Sequence, residues 1–325
     1  MKRRLYRGTN LFFFSLMISF LATAGDLKKK SDAATSVERH KPELINLSNQ
    51  IWAFAETALR ETKSSKLLAD YAEQQGFKVE RGVAGMPTAF VATYGAGKPI
   101  IGILGEFDAL PGISQKASSV KEAYEASAAG HGCGHNLFGA GSLGAAVAIK
   151  ELIAAGKLKG TIRFYGTPAE ESVGGKIYMA RDGLFNDLDV CLAWHPDEKT
   201  RADVQSSQAL VDFIVEFHGK AAHAAFDPWN GRSAVDGMEL FTHGLNMLRE
   251  HVKPSVRIHY TIQTGDYEML VNMAGAKLLQ TNLTWLGPIK YTEEEQAFAR
   301  AIQRATGVEE KGLNGAIQPA GRAKA

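Results

Sequence analysis

Cysteine is nearly absent, with two in 325 residues. That excludes a small scaffold stapled by disulfides. Neither sign of charge dominates: 37 Lys and Arg stand against 35 Asp and Glu. No basic surface therefore argues for nucleic acid. Beyond the N-terminus there is no run of about 18 or more apolar residues, so a bundle of membrane helices is not expected. The 33 glycines follow no period, which excludes a collagen-like chain. Internal repeats and long low-complexity segments are also lacking. What is present is apolar enough to fold: the chain is 45% hydrophobic and 22% charged, outside the range of disordered sequences. Its length fits roughly two domains of about 150 residues.

The first 24 residues read as an address rather than as fold. Lys2, Arg3, Arg4 and Arg7 form a positive start, Leu11 to Leu21 is apolar, and Ala22-Thr23-Ala24 has the small-x-small form of a cleavage site. Together these features predict a secretory signal peptide over 1–24 and an exported chain. The competing reading, a membrane anchor, needs a longer apolar stretch. Cys191 lies in the run Val190-Cys191-Leu192-Ala193-Trp194 and is expected as a buried small hydrophobe.

Downstream, helical and strand periodicities alternate. Apolar positions at helical spacing over 36–60 (Leu44, Leu47, Ile51, Trp52, Phe54, Ala55, Leu59) predict a helix, and Lys66 to Gln75 a second, ended by Gly76. Strands are expected at 89–94, 100–104, 161–165 and 189–194, with a Gly/Ala-rich helix from about Leu137 to Ala155. This order predicts an α/β fold, a mostly parallel sheet with helices on both faces. From about Gln208 the character changes. A strand over 210–217, an amphipathic helix over 233–250 and a strand over 255–263 form a β-α-β unit. Residues 266–312 read as helical, notably 291–305, and 313–325 as a weakly structured tail.

The chemistry sits at the ends of the apolar runs. Gly130-His131-Gly132-Cys133-Gly134-His135-Asn136 alternates glycine with three potential ligands just before a helix. Glycine permits tight turns, and thiolate and imidazole are preferred zinc ligands. Thr167-Pro168-Ala169-Glu170-Glu171 follows a strand, where open α/β sheets carry their sites. Neighbouring residues point apart, so one carboxylate can hold metal while the other acts as general base. Trp194-His195-Pro196 again follows an apolar strand. Cys133, His135, Glu171 and His195 thus form a candidate site for a hydrolytic divalent ion. Glu170 is the candidate base, moving a proton from water to a leaving amine.

These motifs, with Gly105-Glu106-Phe107-Asp108-Ala109-Leu110-Pro111 and His218-Gly219-Lys220-Ala221-Ala222-His223, resemble the metal-dependent amidohydrolase/aminoacylase peptidase family. Their wording is most like the aminobenzoyl-glutamate utilisation protein B-type subgroup. The likeness runs from about Val37 to Gln263. It implies a zinc-peptidase-like catalytic domain, its first part over 36–207 and a remnant of its second part over 266–312, interrupted by a small, truncated lid over 208–265. It implies two divalent ions, zinc or manganese, and hydrolysis of an N-acyl or N-aminobenzoyl amino acid. The lid is expected to form a homodimer, or the chain to join a related subunit. Asp108 and His131 are expected beside the ligands, orienting them. His223 is expected to help bind the reacting carbonyl.

Two departures from the family pattern carry expectations of their own. The lid is expected to lack its second β-α-β half, and no histidine lies beyond His259 to supply the family's C-terminal metal ligand. The metals are then expected to sit more loosely, down to a single ion. The alternatives are a catalytically impaired remnant or a non-catalytic partner subunit, and a structural zinc protein. The Glu pair argues against the last, since structural sites close all positions with Cys and His.

Overall fold

The computed structural model describes residues 9–204, 210–213, 215–248, 262–266 and 272–320. The chain divides into two compact units, one from Met1–Val204 with Asn272–Ala325 and the other Gln205–Val271.

The first unit opens with a long helix, α1 (Thr9–Phe54), that runs without a break through 22–36. The basic start of the expected signal peptide, Lys2 to Arg7, lies outside the described residues. The expected helix over 36–60 stops early, at Phe54. Ala55 and Leu59 both take positive φ, at 42° and 58°. The turn between them is fixed from elsewhere: the Glu56 carbonyl accepts from the Ala109 N–H at 2.8 Å. The Glu56 carboxylate accepts from the amides of Lys63 and Ser64, capping the first turn of α2 (Thr62–Gln74). Non-local hydrogen bonds thus override the helical period.

The strands are β1 (Lys78–Arg81), β2 (Phe90–Ala96), β3 (Ile100–Glu106), β4 (Gly160–Thr167) and β5 (Val190–Leu192), in the order β1-β2-β4-β3-β5. β4 and β5 both run parallel to β3, whereas β2 is antiparallel to β1 and to β4. Four strands therefore share one direction and β2 alone is reversed. β2 and β3 are separated only by 97–99, too short for the crossover a parallel pair needs. β1 was not foreseen in the sequence: its polar residues give no apolar run.

Helices cover both faces. On one, α1, α2 and α3 (His135–Ala154) bury Leu47, Ile51, Leu68, Leu143 and Val147 against Phe90, Ile103, Ile162 and Phe164. The α3 helix comes close because Gly139 has no side chain; a Cβ there would meet the Glu106 carbonyl at 2.7 Å. By length and composition α3 is the one candidate membrane span among the described residues, but it is packed between α1 and the sheet. On the other face α4 (Gly175–Arg181) sets Met179 against Val91 and Tyr165.

Cys191 corrects an expectation. It is exposed, because among the described residues β5 is an edge strand paired with β3 only.

The C-terminal part of this unit holds α6 (Met273–Leu286) and α7 (Glu293–Thr306), the latter started by a Thr292–Glu295 capping box. They replace the expected continuous helical stretch, with a break at Gly287. The stretch from 313 is irregular but not loose. Leu313 N–H donates to the Gln296 side chain at 2.8 Å, and Gln318 N–H to the Thr200 carbonyl at 2.9 Å. Residues 321–325 of that tail lie outside the described residues.

In the second unit β6 (Leu210–Phe213) pairs antiparallel with β7 (Ile262–Asp266), and α5 (Ala234–Leu248) lies between them in sequence. The first strand is shorter than the expected 210–217. The expected 255–263 strand lies outside the described residues except for its last two.

Candidate metal centre

The parallel strands β3, β4 and β5 end on the same edge of the sheet, and each delivers polar residues there. β3 ends at Glu106 and leads to Asp108. β4 ends at Thr167 and leads to Glu170 and Glu171. β5 leads to Trp194 and His195. The loop before α3 adds Cys133, and His135 is the first residue of that helix.

Packing fixes the histidines. Trp194 donates its indole N–H to Ser142 Oγ at 3.0 Å and meets Phe138 edge-on at 5.5 Å, fastening the segment after β5 to α3. Gly134, at φ 78°, leaves room for Pro196; a Cβ would come within 2.8 Å of its ring. His195 Nδ1 then lies 2.9 Å from the Pro196 carbonyl. A carbonyl only accepts, so Nδ1 carries the proton and Nε2 keeps its lone pair. That Nε2 is 3.2 Å from Cys133 Sγ.

His135 is fully buried. Its Nδ1 faces Asp108 Oδ1 at 2.9 Å, and its Nε2 lies 2.8 Å from Glu106 Oε2 and 3.9 Å from Glu170 Oε2. Asp108 Oδ2 accepts from the Glu171 N–H at 2.9 Å. Asp108 thus grips both His135 and the backbone of Glu171. Glu106 is paired on its other oxygen with Lys176 of α4.

Ligand atoms of Cys133, His135 and His195 lie within 4.8 Å of one another, and so do those of Glu106, His135 and Glu170. His135 belongs to both groups, so they describe one shared region. His135 Nε2 and Glu106 Oε2 face each other at 2.8 Å, while the buried Glu171 Oε1 finds no hydrogen bond. Unpaired buried polar atoms are costly, and a divalent cation is a partner that suits nitrogen, oxygen and thiolate together.

The electrostatics point the same way. Burial, with Glu106 next in effect, raises the Glu170 carboxyl above its usual range. Burial likewise raises Glu171. Burial and the nearby Glu171 push the Cys133 thiol up to about 12. Burial alone would depress His135, but Asp108 and Glu106 outweigh it and carry it up to about 10. Four carboxylates, Glu106, Asp108, Glu170 and Glu171, thus gather around His135 and Lys176, which leaves the cluster short of positive charge.

Two further sequence-selected residues behave differently. His131 is buried, stacked by Trp52, with Nε2 3.0 Å from the Ile51 carbonyl; burial holds its pKa down to about 4. Its ring is tied to the end of α1, and its Nδ1 finds no hydrogen bond. His223 belongs to the second unit and is exposed. Its Nδ1 accepts from the amides of Ala225 and Phe226, both at 3.2 Å, so its proton sits on Nε2.

Sequence reasoning did not single out Glu106, Lys176 or Glu61. Glu106 carries a usable signal, a charged residue closing an apolar strand run. Lys176 and Glu61 carry none, since each lies outside the apolar runs and the motifs.

The chain also has relatives. The sequence pattern described as peptidase family M20/M25/M40 matches residues 102–317. The chain is 40% identical over 253 residues to a p-aminobenzoyl-glutamate hydrolase subunit of Escherichia coli (strain K12), covering 75% of this chain and 51% of that protein. It is 33% identical over 250 residues to Xaa-Arg dipeptidase of Mus musculus, covering 73% of this chain and 54% of that one. The crystal structure of an aminobenzoyl-glutamate utilization protein from Klebsiella pneumoniae superposes with a TM-score of 0.51. Its identity is 16%, over 84% of this chain and 75% of that one, a likeness of fold. The chain spans about half the length of the curated relatives it matches.

Proposed function

The chain belongs to peptidase family M20/M25/M40, and from that premise we propose that it hydrolyses the amide bond of an N-acyl or N-aminobenzoyl amino acid. The observation that carries the reading is the convergence of Cys133, His135 and His195 beside the Glu170–Glu171 pair at one edge of the sheet.

Cys133, His135, Glu171 and His195 are the residues proposed to hold one or two divalent ions, zinc or manganese. When bound, such an ion supplies Lewis-acid polarisation of the amide carbonyl and a more acidic water. Glu170 takes the proton from the attacking water and passes it to the leaving amine. Burial raises its carboxyl above the usual range, the direction that strengthens a general base. Asp108 orients His135 and Glu171. His223, whose Nε2–H is a donor, is proposed to hydrogen-bond the reacting carbonyl oxygen.

The name of the Escherichia coli relative supports an aminobenzoyl-glutamate-like substrate. That relative is named as one subunit of a hydrolase, which supports assembly with a related chain; a homodimer through the second unit is the other arrangement. The basic start, apolar run and Ala22-Thr23-Ala24 support export, which N-terminal sequencing of the mature protein tests.

The deciding experiment incubates purified chain, loaded with zinc or manganese, with aminobenzoyl-glutamate and a panel of N-acyl amino acids. Amine release that a chelator abolishes and metal restores is expected. A fully loaded chain with no turnover across the panel would instead favour a non-catalytic subunit.

A further inference from the structure

Glu61 is the other buried acid near this edge. It has no exposed surface, although a charged side chain is rarely buried without a partner of opposite charge. It stands at the N-terminal boundary of α2, yet makes no cap bond to that helix; Glu56 supplies the cap instead. The Glu61 carboxylate reaches across the fold. Oε1 accepts from the Ala169 N–H at 2.9 Å, and Oε2 from the Thr88 hydroxyl at 3.1 Å.

Ala169 is the residue before Glu170, and it is held in an unusual shape. Its φ is 59°, a left-handed conformation that is strained for a non-glycine residue. Its carbonyl accepts from Val173 and Gly174 at 3.1 and 2.8 Å. On the far side of Glu170, the Glu171 N–H is held by Asp108. The backbone carrying Glu170 is therefore clamped at both neighbours by buried carboxylates reaching in from different elements.

We infer that Glu61 is a positioning residue for Glu170: by holding the Ala169 amide, it maintains the left-handed turn that aims the base. The inference rests on the proposed hydrolysis, in which Glu170 moves the proton. Asp108 fixes the metal-binding neighbour, and Glu61 fixes the base. Glu61 touches no reacting atom. Its contribution is geometric, and a misplacement of about 1 Å at a reacting group costs on the order of 10²-fold in rate.

The test compares Glu61→Ala, Glu61→Gln and Ala169→Gly, the last alone and combined with Glu61→Ala, in the full metal-loaded chain. Kinetics, bound metal and amide hydrogen exchange over 168–174 are read together. Glu61→Ala is expected to lower kcat by about 10²-fold with KM and metal content nearly unchanged, and to speed exchange at Ala169. Glu61→Gln still offers an oxygen to the Ala169 N–H and should keep most of the activity. Ala169→Gly, which adopts the turn without strain, should restore part of kcat in the double variant. Should Glu61→Ala not fold, Glu61→Met fills the same volume and carries the same expectation. A folded variant with unchanged kcat and exchange would overturn the inference. So would loss of metal in step with kcat, because Glu61 would then act on the ligands. If the wild-type chain shows no turnover, the functional reading fails by itself. Exchange at Ala169 then still decides whether Glu61 holds the turn.

Discussion

Cys133 Sγ lies 3.2 Å from His195 Nε2, although 62 positions separate the two residues. One comes from the glycine-rich loop before α3, the other from the segment after β5. Their meeting depends on Trp194 anchoring to Ser142 and on the space that Gly134 leaves for Pro196. Cys133→Ser and His195→Ala should each lower the affinity for zinc or manganese by at least about 10-fold. Equilibrium dialysis against metal buffers checks this. Unchanged affinity in both variants would remove these residues from the ligand set.

Glu170→Gln keeps the size of the side chain and removes its basicity. It should lower kcat by about 10²- to 10⁴-fold, while bound metal stays at the wild-type level. Amine release under saturating substrate, with metal content measured on the same sample, separates loss of the base from loss of the ion.

Asp108 holds His135 Nδ1 and the Glu171 amide at once. Asp108→Asn weakens both and should reduce metal affinity by about 10- to 100-fold. The effect should show in KM-independent metal titrations before it shows in substrate binding.

Burial, with repulsion from Asp108 adding to it, pushes Glu61 from its ordinary 4.5 up to about 7. The folded chain therefore keeps this proton between those values while the unfolded chain has released it. Stability from this group is full below about 4.5 and falls as pH rises to about 7, by about 3 kcal/mol in all. Glu61→Gln has no such proton to lose. Urea denaturation from pH 4 to pH 8 should show the Gln variant gaining on wild type as pH rises. A constant difference across that range would contradict the assignment.

Much of the sheet is legible in sequence because burial leaves a local trace. Ile100 to Leu104 and Thr161 to Tyr165 are apolar runs, and both are strands. β1 leaves no such trace, since among the described residues Lys78–Arg81 is paired on one side only, and it is mostly exposed. The candidate site is partly legible for a related reason. Cys133, His135, Glu170, Glu171 and His195 interrupt apolar or glycine-rich stretches where strands end. Glu61 and Lys176 interrupt nothing.

The sequence alone determined which residue types stand at the strand ends, and with them the α/β class, which follows from spacing along the chain. The family likeness came from the wording of its motifs. Tertiary structure decided the rest. It stopped α1 at Phe54, six residues short of the expected end at 60, because Glu56 is used by Ala109 and α2. It reversed β2, exposed Cys191 on an edge strand, and tied His131 to Ile51. It also brought Glu61 to Ala169 across 108 positions. Each outcome turns on a hydrogen bond or a sheet neighbour that sequence period does not encode, because the partner lies far along the chain.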